Sequence, residues 1–205
     1  MPENPTDNTP HPLDTGRVSA TDRVAATDRG AIHAFLTACS DQLVESATTW
    51  PAREGAARFA AALERCVPTP CTPCWLPVLD TIGAIEPSHL ARHFVGIAPL
   101  LIWEPTFRTD DRGTTIALAP LDRVVGLSGL TVGIMYVAPH HQYPVHAHPP
   151  NELYLTIAGE GQWRFGGHDE LRHVAPGTTL YNHPGDLHSA AAGATPLVAL
   201  YVLWE

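Results

Sequence analysis

The chain has 205 residues, with 12 basic against 21 acidic, a net charge of −9 and 20 prolines. That length allows one sizeable core and excludes a large multidomain assembly. Every basic residue is arginine, which rules out a Schiff-base lysine or a lysine-built phosphate loop, and the acidic balance opposes binding to nucleic acid or to an anionic membrane.

The opening MPENPTDNTPHPLDTG carries no basic and then apolar leader, and nothing downstream approaches the roughly 18 consecutive apolar residues of a membrane span. A cytoplasmic protein acting on a small molecule is expected. Residues 1–25 are rich in Pro, Asp, Thr and Asn and read as a disordered arm. Residues 26–102 read as a helical region. Ile32, Phe35, Leu36, Cys39, Leu43 and Val44 recur at helical spacing up to a stop before Pro51. A second helix runs through Ala56, Ala57, Phe59, Ala60 and Leu63, and a third begins near Ser88, after a proline-rich break at 67–77. Cys71-Thr72-Pro73-Cys74 has the spacing of a metal knuckle or redox pair. No second pair completes such a site, so incidental thiols in a proline-rich loop are the plainer reading.

From residue 103 onward the apolar runs shorten and are punctuated by Gly, Pro, Asp and Asn. This pattern predicts strands at 115–119, 131–137, 152–158, 161–166, 178–181 and 197–203, with turns at 166–169, 175–177 and 183–186. Short strands joined by tight turns give an antiparallel β-barrel or jelly roll. The expected architecture is therefore mainly β, a barrel over 103–205 preceded by helices. The helical part would cover the barrel mouth, supply a homodimer surface, or both.

Eight of the 12 histidines fall between residues 140 and 188. Clustered imidazoles in an acidic chain point first to a metal. An extended His146-Ala147-His148 puts both rings on one wall. In Glu152-Leu153-Tyr154-Leu155-Thr156-Ile157, burying the three apolar residues against another layer turns Glu152 and Tyr154 into the barrel interior. His140, His141, His168 and His173 are expected to face solvent at turns or hairpin strands, and His183 is undecided.

His146-x-His148-x3-Glu152-x6-Gly159 and Gly177-x7-Gly185-x2-His188 resemble the two cupin motifs, with His140, His183 and Ala192 departing from the usual glycine, proline and asparagine. The resemblance implies a jelly-roll barrel holding one divalent metal (Fe, Mn, Co, Ni or Zn) through His146, His148, Glu152 and His188. Tyr143-Pro144-Val145-His146-Ala147-His148-Pro149-Pro150-Asn151-Glu152-Leu153-Tyr154 and the ending Leu200-Tyr201-Val202-Leu203-Trp204 are similar to the dimethylsulfoniopropionate (DMSP) lyase branch of the cupins. That likeness implies cleavage of DMSP to dimethyl sulfide and acrylate with a tyrosine as base, by motif position Tyr154, with Tyr143 second.

The sulfonium of such a substrate calls for aromatic faces, for which Trp163, Tyr143, Tyr181 and Trp204 are the candidates. Arg164 and Arg172 are the barrel arginines available to its carboxylate. The same ligand set would also serve an Fe(II) dioxygenase, which oxygen consumption would reveal, or a non-catalytic small-molecule-binding cupin.

Overall fold

Three α-helices precede ten strands in the computed structural model, which describes residues 20–66, 69 and 71–205. Most of the arm expected at 1–25 lies outside the described residues, but the backbone is already helical from Ala20, well ahead of the periodic segment read from the sequence. α1 (Ala20–Ser46) buries Ile32, Phe35, Leu36, Cys39 and Leu43, whereas Val44 is exposed. α2 (Trp50–Leu63) starts earlier than the apolar pattern indicated. Pro51 sits in its first turn, where proline costs nothing, and the Thr49 hydroxyl accepts from the Ala52 N–H at 3.4 Å. α3 (His89–Ile97) is capped in the same way, Ser88 accepting from the Ala91 N–H at 3.1 Å.

The strands form two antiparallel sheets. One, six-stranded, has the order β1-β2-β3-β10-β5-β8: β1 (Glu104–Pro105), β2 (Ile116–Pro120), β3 (Thr131–Val137), β10 (Leu197–Trp204), β5 (Asn151–Ala158) and β8 (Thr179–Asn182). The other has the order β4-β9-β6-β7: β4 (Gln142–His146), β9 (His188–Ala192), β6 (Gly161–Arg164) and β7 (Arg172–Val174). β1, β4, β7 and β9 were not anticipated. The expected turn at 166–169 joins β6 to β7, with Gly166 and Gly167 both at positive φ.

Alternation of side chains along the six-stranded sheet builds the layers. Val132, Ile134 and Tyr136 on β3, Leu153, Leu155 and Ile157 on β5, and Val198, Leu200, Val202 and Trp204 on β10 join the helices in one apolar cluster. Met135, Val137, Tyr154, Leu197 and Ala199 point the other way, into the barrel, and meet Tyr143, Trp163, Val174 and Ala190. The helices therefore cover the outer face of this sheet. Both its faces are buried, which is why Leu197–Trp204 reads as an unbroken apolar run.

Phe94, Trp103 and Tyr136 fasten α3 to that face, their ring centroids 6.2–6.3 Å apart. Such pairs contribute about 0.5–1.5 kcal/mol each beyond buried area. Their polar atoms are satisfied: Trp103 Nε1 donates to the Ala98 carbonyl at 2.9 Å, and the Tyr136 and Thr81 hydroxyls lie 2.9 Å apart. At the β5–β6 turn Gly159 has φ +79°, and a Cβ there would fall 2.1 Å from the Pro196 carbonyl oxygen, so the glycine that ends the first motif is a geometric necessity.

Candidate metal centre and active site

β4 and β9 pair so that His146 stands directly opposite His188. The strand ends at His146, and His148 follows in the bend of Pro149 and Pro150. It still turns inward, and one ring nitrogen from each of His146, His148 and His188 falls within 4.8 Å of the others. β5, in the facing sheet, supplies Glu152 and Tyr154 to the interior, as its alternation required.

Each imidazole is oriented by the main chain. His146 Nδ1 lies 2.9 Å from the Pro144 carbonyl, His148 Nδ1 3.2 Å from the Pro150 carbonyl, and His188 Nδ1 2.8 Å from the Asp186 carbonyl. A carbonyl only accepts, so each Nδ1 is a donor and Nε2 is the ring nitrogen left to face the cavity. His148 Nε2 and His188 Nε2 are buried without an aligned hydrogen-bond partner, yet stand 3.2 and 3.0 Å from Glu152 Oε2. Imidazole nitrogens gathered beside a buried carboxylate are the donor set a divalent cation requires, so His146, His148, His188 and Glu152 fit the metal that the cupin resemblance implied. Asn182 Nδ2 donates to Glu152 Oε2 at 3.2 Å, and Asn182 Oδ1 accepts from the Gly166 N–H at 2.9 Å, which fixes the carboxylate from behind.

Burial and the neighbouring side chains set the protonation of these groups. Burial, with the neighbouring His188 adding to it, lowers His146 to about 4, so its ring is neutral at physiological pH. Burial alone would raise Glu152, but the adjacent His148 and His188 outweigh it and hold the carboxyl at about 2. Close contact with Glu152 raises His148 in turn, against burial. Burial, and then the Glu152 charge, push the Tyr154 hydroxyl far above its ordinary value.

His146, His148, Glu152 and Tyr154 line a cavity of about 160 Å³ together with Arg108, Leu118, Thr131, Met135, Tyr143, Tyr201 and Leu203. Drug-sized sites run to roughly 300–1,000 Å³, so this one suits a ligand of few atoms. A larger groove of about 470 Å³ between the turns near residues 160 and 194 is lined by Glu86 and by the exposed His173–Glu160 pair. Histidines, a buried carboxylate, tyrosines and an arginine gather instead at the small cavity.

Several sequence expectations land elsewhere. Trp204 packs over Gly55 of α2, and Tyr181 donates to Asn151 Oδ1 and stacks on Trp204 at 6.1 Å; both lie on the helix side of the six-stranded sheet, away from the cavity. Trp163 is buried under Tyr154, centroids 5.0 Å apart, and does not reach the lining. Arg164 pairs with Asp169, and Arg172 lies over Phe165. His140, His141, His168 and His173 are exposed, as expected, and so is His183.

Arg108 and Tyr201 were missed. Tyr201 follows from parity with Leu197 and Ala199 on β10, but that strand shows no polar contrast to fix which parity faces inward. Arg108 arrives from the loop between β1 and β2, where no periodicity operates, and its Nε donates to the Tyr143 hydroxyl at 3.2 Å.

The family model for DMSP lyase matches residues 78–199, more than half of the chain. The chain belongs to the DMSP lyase family. The DMSP lyase DddQ of Ruegeria pomeroyi strain DSS-3 is 27% identical over 173 residues, covering 75% of this chain and 83% of that relative. The crystal structure of that same lyase superposes with TM-score 0.61 at 22% identity, over 77% of this chain and 93% of the other. A chain from the crystal structures of the DMSP lyases RdDddP and RnDddQII superposes with TM-score 0.69 at 19% identity, over 87% and 94%. The fold of this DMSP lyase family member is thus the cupin jelly roll with its helical preface. None of its described helices is long and apolar enough to cross a membrane.

Proposed function

We propose that the protein is a carbon–sulfur lyase that cleaves DMSP to dimethyl sulfide and acrylate by metal-dependent β-elimination, with His146, His148, His188 and Glu152 holding the cation. The observation that carries this reading is three main-chain-oriented imidazoles with ring nitrogens within 4.8 Å of one another, two of them 3.0 and 3.2 Å from the buried Glu152 carboxylate, beside a small cavity lined by Tyr143 and Tyr154. In the elimination a base removes a proton from the carbon beside the carboxylate, the new double bond forms there, and the C–S electron pair leaves with dimethyl sulfide.

Tyr154 is the base in this reading. Its phenol is held against Glu152 and backed by Trp163, so it is positioned and shielded from bulk water. A bound divalent cation supplies positive charge that offsets Glu152 and favours both the phenolate and the charge developing on the substrate. A second reading makes Tyr143 the base, since its hydroxyl accepts from the Arg108 guanidinium.

Headspace gas chromatography of the purified protein with DMSP and Mn(II), Fe(II), Co(II), Ni(II) or Zn(II), against a chelated control, tests the proposal. Metal-dependent dimethyl sulfide is the expected result. Folded protein with bound ion and no dimethyl sulfide overturns it and points to an Fe(II) dioxygenase or a binding cupin.

A further inference from the structure

Arg108 is the single cationic side chain besides the histidines among the cavity-lining residues. It comes from outside the barrel strands, and the loop that carries it is tied down. The Arg108 N–H donates to Thr106 Oγ1 at 3.2 Å, and Thr106 is buried. Asp111 gathers the rest: its Oδ1 accepts from Thr109 Oγ1 and the Gly113 N–H, both at 3.0 Å, and its Oδ2 from the Thr115 N–H at 3.0 Å and the Thr115 hydroxyl. One carboxylate taking four donors fixes a turn that would otherwise pay its own ordering entropy.

The fork of Arg108 is only partly used. Nε is committed to Tyr143, while the two terminal nitrogens make no ion pair or hydrogen bond to the described residues. A guanidinium with two free N–H edges matches a carboxylate in bidentate fashion. The same charge repels a sulfonium. The uncharged remainder of the wall, Leu118, Thr131, Met135, Leu203 and the rings of Tyr143, Tyr154 and Tyr201, is where the cationic end can lie.

We propose that Arg108 is the substrate-orienting residue of this cavity, binding the carboxylate of the substrate through its terminal nitrogens and so selecting short zwitterions or anions over neutral analogues. The inference rests on the lyase reading for the identity of the substrate, while anion recognition at Arg108 can be read without turnover.

The test has two arms. In the first, acrylate and its neutral isostere acrylamide are titrated by ligand-observed NMR into the full chain as purified and again after chelation, for wild type, Arg108→Gln and Arg108→Lys. Wild type is expected to prefer acrylate in both metal states, Arg108→Gln to lose about 10- to 100-fold of that preference, and Arg108→Lys to keep part of it. Equal acrylate binding by wild type and Arg108→Gln, or no acrylate preference in chelated wild type, overturns the proposal. In the second, kinetics with DMSP should show KM rising by a similar factor in Arg108→Gln while kcat falls less than about threefold. A kcat loss at unchanged KM assigns Arg108 to holding Tyr143 and overturns the proposal too. Should wild type release no dimethyl sulfide, the lyase reading fails and the acrylate arm still decides the role of Arg108. Matched melting curves show whether the variants fold.

Discussion

Glu152 Oε2 lies 3.0 Å from His188 Nε2, although Glu152 belongs to the six-stranded sheet and His188 to the four-stranded one. A cation shared by the two would clamp the sheets to each other. Metal-loaded protein should therefore melt higher than chelated protein: at a free metal concentration 100-fold above Kd the gain is about 2.7 kcal/mol, or roughly 5–10 °C for a chain of this size. His188→Ala should lose both the bound ion, by elemental analysis, and the chelator-sensitive shift. A wild-type melt indifferent to chelator and metal would sink the clamp.

Chelated protein should weaken in mild acid. His146 sits at about 4 in the folded chain against an ordinary 6.5, so the unfolded chain binds the extra proton as pH falls from 6.5 to 4 and stability drops across that window, by up to about 3 kcal/mol. Glu152, held at about 2 against 4.5, continues the loss below pH 4.5. His148 is raised and acts oppositely, adding stability below 6.5 that fades as pH rises through its folded value. Urea midpoints at pH 7, 5.5 and 4.5 should fall for wild type and fall less for His146→Asn.

The two tyrosines separate by substitution. Tyr154→Phe should keep its metal and fold but lose about 10²–10⁴ of kcat, the usual range for a missing general base. Tyr143→Phe should lose less. The reverse ranking would move the base to Tyr143.

Gly133 sits beneath Tyr201, and a Cβ there would come 2.1 Å from the tyrosine hydroxyl oxygen and 2.2 Å from the ring carbon bearing it. Gly133→Ala should cost about 1–3 kcal/mol as an overpacked site and displace Tyr201 from the cavity wall. Because one clash causes both effects, Gly133→Ala with Tyr201→Ala should be about as stable as Tyr201→Ala alone. Additive losses in urea melts would refute the coupling.

The parts of the fold that were readable from sequence are those with one buried and one distinct face. β5 alternates Glu152, Tyr154 and Thr156 with Leu153, Leu155 and Ile157, and that contrast fixed its register and both inward functional groups. β9 was invisible because His188-Ser189-Ala190-Ala191-Ala192 has little strand propensity; packing selects it, with small Ala190 beside bulky Trp163. β10 was visible as a strand, but apolar on both faces it gave no orientation, so Trp204 was assigned to the cavity in place of Tyr201. Arg108 depends on loop hydrogen bonds to Thr106 and Asp111, which no periodic pattern encodes.

The carbonyls of Pro144, Pro150 and Asp186 that aim the three imidazoles are peptide groups, present whatever side chain is attached. Mutational drift around the site can alter the cavity wall, and with it substrate choice, without scrambling the proton placement on the rings. Ligand geometry and specificity are thereby separately adjustable in this fold, so relatives can keep the same three-histidine cradle while presenting quite different walls to their substrates.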